Sequence, residues 1–170
     1  MIFVGIDPGL TGACCVIDHQ GVRTIFDLPT MKAPEVGPDA KVQRKIDGRA
    51  FHKLLLQHCP LTEGRPQVII EKIQVRSTAN SGAGNALQTQ GALMRTVGAI
   101  ESVLECMTYP IHYVAPQKWK RMYGIGAEKA HALDKARKLY PAAAGDLARI
   151  KDHNRAEAVL IAHWGKVELS

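Results

Sequence analysis

After a Pro66-Gln67 lead-in the chain runs Val68-Ile69-Ile70 without a polar residue and then closes on one carboxylate, Glu71. A strand that is apolar at every position shows hydrophobic side chains to both faces of its sheet, so it needs a packed layer above and below. This argues against an open sheet with one wet face and asks for helices on both sides. The N-terminus repeats the pattern. Residues 2–7 read as a short buried strand that ends at Asp7, in the turn Asp7-Pro8-Gly9.

The remaining elements follow from periodicity and turn residues. Residues 12–18 and 22–27 read as two further strands joined by the hairpin turn Asp18-His19-Gln20-Gly21. Residues 29–46 hold three prolines and read as a long loop. Asp47 is placed to cap a helix through Gln57, with Phe51, Leu54 and Leu55 on its inner face. The small polar residues 77–84 read as a loop before a long helix over 85–107, with Leu93, Val97, Ile100 and Leu104 at helical spacing. A strand over 111–115 follows, then a helix opened by Pro116 and broken at Gly124-Ile125-Gly126. Helices over 127–139 and 153–167 complete the chain. Antiparallel strands come first and strand–helix alternation follows. The expected fold is α/β, a mixed five-stranded sheet with helices on both faces in a single domain over residues 1–170.

Composition narrows the function. The net charge of +6 and a pI near 9.3 favour a polyanionic partner. Arg44, Lys45 and Arg49 cluster early, and Lys118, Lys120, Arg121, Lys129, Lys135, Arg137 and Lys138 crowd a later stretch that also holds Trp119 and Tyr123. Basic and aromatic residues together suit a nucleic-acid groove. The four cysteines, Cys14, Cys15, Cys59 and Cys106, form no C-x-x-C pair, so buried reduced thiols are expected rather than a zinc site. No apolar run approaches the ~20 residues of a membrane span, and the N-terminus lacks the basic start of a signal peptide. A cytoplasmic location is expected.

Asp7 and Glu71 carry the chemistry. Each ends an apolar strand, where a charge is costly unless it faces water or a cation. On adjacent strands the two would meet at one sheet edge and would need a cation between them. Hard ions such as Mg²⁺ prefer such oxygen ligands. A third acidic element opens the last helix, in Lys151-Asp152-His153-Asn154-Arg155-Ala156-Glu157-Ala158, with His153 and Glu157 able to share a face. Gly124-Ile125-Gly126-Ala127-Glu128-Lys129 does not match a phosphate-binding P-loop, and Gly5, Gly9 and Gly12 do not match a dinucleotide loop. No organic cofactor is expected.

In combination these residues resemble the RuvC Holliday junction resolvases. Gly5-Ile6-Asp7-Pro8-Gly9 with Thr11-Gly12 resembles their opening, and Ile69-Ile70-Glu71-Lys72-Ile73 their second acidic strand. Lys120 with Gly124-Ile125-Gly126 and Glu128-Lys129 is similar to their DNA-contacting segment, and Arg155-Ala156-Glu157-Ala158 to their final acidic helix. These matches fall in family order over residues 4–162 and look most like phage-type or divergent members.

The resemblance implies a ribonuclease H-like fold, a homodimer, branched DNA as partner, and cleavage with two Mg²⁺ ions per site, Mn²⁺ being able to substitute. It implies metal ligands at Asp7, Glu71 and Glu157. The fourth ligand falls by family spacing on Asn154, so Asp152 is favoured and His153 is the alternative. Lys120 and Lys129 are implied at the scissile phosphate. Arg76, Lys118, Lys120, Arg121 and Lys129 are implied DNA contacts. Gln74 stands where some members have an aromatic residue that stacks at the junction. Two other readings remain open. One is a YqgF-like ribonuclease H-fold nuclease acting on RNA, against which the basic glycine-containing segment argues. The other is a branched-DNA-binding protein with a degraded metal site, for which Asn154 argues. An actin-like ATPase would need two lobes, for which the chain is too short.

Overall fold

The computed structural model describes residues 1–33, 43–73, 83–126 and 128–170. Five strands form one mixed sheet: β1 (Phe3–Asp7), β2 (Ala13–Ile17), β3 (Val22–Asp27), β6 (Gln67–Glu71) and β7 (Ile111–Val114). Their order is β3-β2-β1-β6-β7. The first three pair antiparallel and the last two join in parallel, so β1 and β6 are the central strands. Both are buried along their apolar runs, as their composition demands.

Alternation along each strand feeds two separate cores. Val4, Ile6, Val68 and Ile70 face one side, where α1 (Gly48–His58) and α2 (Ala83–Cys106) supply Phe51, Leu55, Ile100 and Leu104. Phe3, Cys15, Ile17 and Ile69 face the other, packed by α3 (Pro116–Tyr123), α4 (Lys129–Leu139) and α5 (His153–Glu168). Helices therefore cover both faces, as expected. The Asp47 carboxylate caps α1 by accepting from the amides of Arg49 and Ala50. Gly124 ends α3 in a left-handed conformation, which a glycine adopts without a Cβ clash.

Helix α5 lies directly on the central strands because Gly5 has no side chain. A Cβ there would stand 2.3 Å from both the Ala158 carbonyl oxygen and the Ala162 nitrogen. Ala158 and Ala162, one turn apart, keep the side of the helix that faces Gly5 small. This close approach sets the height of α5 over the sheet and so places Glu157.

The expected loop over 29–46 is partly ordered instead. Thr30–Lys32 (β4) and Arg44–Ile46 (β5) pair antiparallel in a separate two-stranded sheet. Each strand is only three residues long, too short for alternation to show in sequence. Three short 3₁₀ turns, Leu61–Glu63, Pro141–Leu147 and Ile150–Asp152, were likewise not expected from periodicity. Helices α2 and α4 begin within two residues of their expected starts. Among the described residues no helix is long and apolar enough to cross a membrane. Cys14, Cys15 and Cys59 are buried free thiols and Cys106 is an exposed one.

His163 on α5 lies between the rings of Tyr123 and Tyr140, at 5.9 and 5.6 Å, with its Nδ1 buried and unbonded. Burial, then Lys166 and Lys135, push its pKa below the usual imidazole value. The unfolded chain therefore takes up this proton at a higher pH than the folded one. That contribution to stability is complete above about pH 6.5 and is lost as pH falls through the depressed folded value. His163→Phe is expected to flatten this part of the pH dependence, as read by urea melts between pH 8 and pH 5. An unchanged profile would refute the assignment.

Candidate active site

Sheet register collects the acidic strand ends. Ile6 pairs with Ile70 in the parallel ladder, so Asp7 and Glu71, one residue on, leave adjacent strands at the same end of the sheet. Gly5 and Ile69, two residues back on each strand, face α5. With a period of two, Asp7 and Glu71 point to that same side. Behind Asp7 the chain turns tightly: the Gly12 amide donates to the Gly9 carbonyl at 3.1 Å. A Cβ on Gly12 would sit 2.1 Å from the Asp7 carbonyl oxygen. The Asn154 side chain donates to the Thr11 carbonyl at 2.6 Å, tying the start of α5 to this turn.

Glu157, in the second turn of α5, completes the group. Lys120 of α3 reaches its carboxylate at 3.3 Å, with the Glu157 side chain 16% exposed. Glu71 accepts a 2.8 Å hydrogen bond from the Trp119 indole. Burial raises the Glu71 pKa; the Trp119 bond opposes this, the Glu157 charge adds to it, and Lys120 partly offsets it. Lys120 thus stands as the local cation for two carboxylates that repel each other. The pair, with Asp7 on the neighbouring strand end, is an all-oxygen donor set. That chemistry fits a hard divalent cation. As the side chains are set, no three His, Cys, Asp or Glu groups among the described residues form a ready metal cage.

Asp152 lies elsewhere. It is 3% exposed and accepts from Arg149 through the backbone amide at 2.8 Å, Nε at 3.0 Å and Nη2 at 2.7 Å. These bonds, Arg149's first, hold its carboxyl below the usual range. Its electrostatic neighbours are Arg149, Arg155 and Asp27. Sequence reading missed Asp27, which lies opposite Ala13, itself opposite Asp7, on one cross-strand row. Arg155 of α5 grips Asp27 in a two-pronged ion pair at 2.6 and 2.8 Å. The acidic residues thus divide into two groups along the sheet end: Asp7, Glu71 and Glu157 over β1 and β6, and Asp27 and Asp152, held by arginines, over β3. Trp119, expected with the basic residues at a nucleic-acid groove, is instead fully buried and orients Glu71.

The basic residues scatter. Lys118 pairs with Glu168 at 3.8 Å and lies 5.0 Å over the Trp164 ring, toward the far end of α5. Glu168 is about 16 Å along the helix from Glu157 by helical rise. Arg121 is exposed on α3. His153 is partly buried at the first position of α5. Gln74, Arg76 and the Lys129 side chain lie outside the described residues.

No family model and no curated protein sequence matches the chain. Among solved structures it resembles Thermus thermophilus RuvC in complex with a Holliday junction substrate, at 19% identity and a TM-score of 0.58, over 95% of this chain and 90% of that one. A second Thermus thermophilus RuvC structure matches at 18% identity and a TM-score of 0.54, with the same coverage. The similarity runs through nearly the whole chain at an identity too low to speak for more than architecture. The chain, a mixed five-stranded sheet with helices on both faces, shares the ribonuclease H-like fold of these RuvC structures.

Proposed function

We propose that the protein is a Mg²⁺-dependent endonuclease that nicks opposing strands of four-way DNA junctions. One observation carries this reading: Asp7 and Glu71 leave adjacent strands at one end of the sheet on the side that α5 covers, and Glu157 of α5 shares Lys120 with Glu71, in a chain with the fold of the RuvC structures. Asp7, Glu71 and Glu157 would hold the ions. Asp152 would join them only by exchanging Arg149 for a cation, with His153 as the alternative.

When bound, Mg²⁺ supplies Lewis-acid stabilisation of phosphate charge and a lowered pKa for an attacking water, and Mn²⁺ offers similar chemistry. The protein's own groups do the rest. Trp119 keeps Glu71 in one orientation, and the Gly9–Gly12 turn fixes the exit of Asp7. Lys120, between Glu71 and Glu157, is placed to neutralise charge that develops on the phosphoryl oxygens. Lys129, Lys118, Arg121 and Arg76 are assigned to the DNA backbone. Products would carry 5′-phosphates. A second copy would pack on α2, where Met94 is 58% exposed, giving a dimer able to cut symmetrically. Such a protein would work in the cytoplasm of a bacterial or phage-infected cell.

The test is a substrate panel with Mg²⁺: a synthetic four-way junction, a flap, a linear duplex and an RNA–DNA hybrid, with nicks mapped on each strand. Paired nicks in the junction are expected, at a rate at least about 10²-fold above the linear duplex (a discrimination of ~2.7 kcal/mol). Cleavage confined to the RNA strand of the hybrid would favour the RNA-acting alternative. Junction binding without cleavage would favour the degraded site.

A further inference from the structure

We infer that β5 and the adjoining face of α2 form a second binding surface for a DNA phosphodiester backbone, with Arg44, Lys45 and Arg95 as its contacts. The inference rests on the branched-DNA reading and adds a surface to it. Arg44, Lys45 and Arg95 line a pocket of ≈160 Å³ floored by Ile46, Ala92 and Thr96. All three cations are exposed. Among the described residues no carboxylate is ion-paired with any of them.

The contrast with the α5 side is informative. There Lys118, Lys120, Arg149 and Arg155 each lie against an acid: Glu168, Glu157, Asp152 and Asp27 respectively. Much of the positive charge beside the carboxylates is thus locally cancelled, whereas among the described residues no acid cancels that on the β5–α2 face. Asp47, the acid next to this segment in sequence, accepts from the first amides of α1. Three cations around one pocket repel each other, and an anion relieves that repulsion.

Arg44 is also oriented in advance. Its Nε and Nη2 donate to the Thr30 hydroxyl at 2.8 and 2.6 Å, and Nη2 also reaches the Thr30 carbonyl at 3.2 Å. One edge of the guanidinium is therefore held by β4, and among the described residues Nη1 bonds to no partner. A guanidinium held this way loses less freedom on binding phosphate than a mobile one. Lys32 stands opposite Arg44 in the β4–β5 register and is exposed, which extends the row of charge. The pocket is small beside those that enclose nucleotides, roughly 300 Å³ and upward. A row of separate cations around a shallow pocket suits a linear polyanion that passes over it.

The location fits a junction arm. Strand β4 begins three residues after Asp27, at the same sheet end as Asp7 and Glu71, and the patch lies on the face covered by α2 rather than α5. One arm held at the carboxylates would leave another able to run along this second face.

The test is junction binding by the full chain in EDTA, where cleavage is blocked, comparing wild type with Arg44→Gln/Lys45→Gln/Arg95→Gln over a salt series. The triple variant is expected to bind the junction on the order of 10- to 100-fold more weakly at moderate salt, with a slope of log K against log salt shallower by roughly 2–3. Lys45 acetylation in the wild type is expected to be blocked by junction, a readout that does not depend on the variant folding. A wild-type protein that binds junction, beside a folded variant with unchanged affinity and slope and an unprotected Lys45, would overturn the patch and leave the branched-DNA reading intact. A wild type that binds no DNA would overturn both. Loss of binding seen only with single-stranded RNA, or only with phosphatidylserine vesicles, would overturn the DNA assignment in favour of that polyanion.

Discussion

Asp7→Asn is expected to lower junction cleavage by roughly 10³-fold or more while junction affinity stays within about twofold of wild type. Asparagine keeps the shape of the side chain and removes its charge. Asp7 leaves the central strand β1 beside Glu71, and the turn behind it is closed by the Gly12–Gly9 bond. The substitution would therefore take one anionic oxygen from the proposed ligand set without disturbing the strand. On the proposed reading binding rests on basic residues elsewhere, so it should persist. A second readout separates a lost ligand from a general defect. Mg²⁺ binding to the folded state raises the melting temperature by mass action, and this rise should shrink in the variant while its melting temperature without metal stays near wild type. An unaltered Mg²⁺-dependent rise would sink the metal assignment, and full cleavage by Asp7→Asn would sink the catalytic role with it.

Gly5→Ala should produce a large loss of stability for a methyl-sized change. The added carbon would meet the backbone of α5, at 2.3 Å from the Ala158 oxygen and the Ala162 nitrogen and 2.8 Å from the Ala162 Cα. A flexible side chain could swing away; a helix backbone cannot, so either α5 lifts or β1 bends. Overpacking commonly costs about 1–3 kcal/mol, and contact with backbone on both sides puts this case at about 3 kcal/mol or above. For a chain of this length that is roughly 6–12 °C in Tm. Gly98→Ala is the matched control. Gly98 lies in α2 with nothing within 4 Å of its built Cβ, so the change should stabilise by up to about 1 kcal/mol. Equal and small effects at the two positions would refute the account of how α5 is seated. A displaced α5 also carries Glu157 away from Asp7, so the surviving folded fraction of Gly5→Ala should cleave poorly.

The two substitutions draw on different kinds of information. Asp7 and Glu71 could be singled out from the chain alone, because a charge that closes an all-apolar run is conspicuous wherever the strand ends up. Glu157 was legible only as part of an ordered set of motifs, since an acid near a helix start is ordinary in itself. Asp152 shows where such reading stops. Its position in the sequence suits a ligand, yet Arg149, three residues before it, holds its carboxylate through a short 3₁₀ turn that no periodicity announces. Asp27 had no local signal at all. It joins the row of Asp7 only through the pairing of three strands. The β4–β5 pairing was hidden in the same way, because three residues per strand are too few for alternation to register.

The sequence by itself determined the layered architecture and the acidic end of the sheet. Uninterrupted apolar strands must be covered on both faces, and the residue that closes such a strand must lie at the sheet's edge. Only the tertiary structure decided which charges meet. Contacts between α3, α5 and the strand ends join residues far apart in the chain: Trp119 with Glu71, Lys120 with Glu157, Arg155 with Asp27. Those pairings depend on the height and direction at which each helix crosses the sheet, and that is fixed by packing as close as the bare backbone of Gly5 against α5.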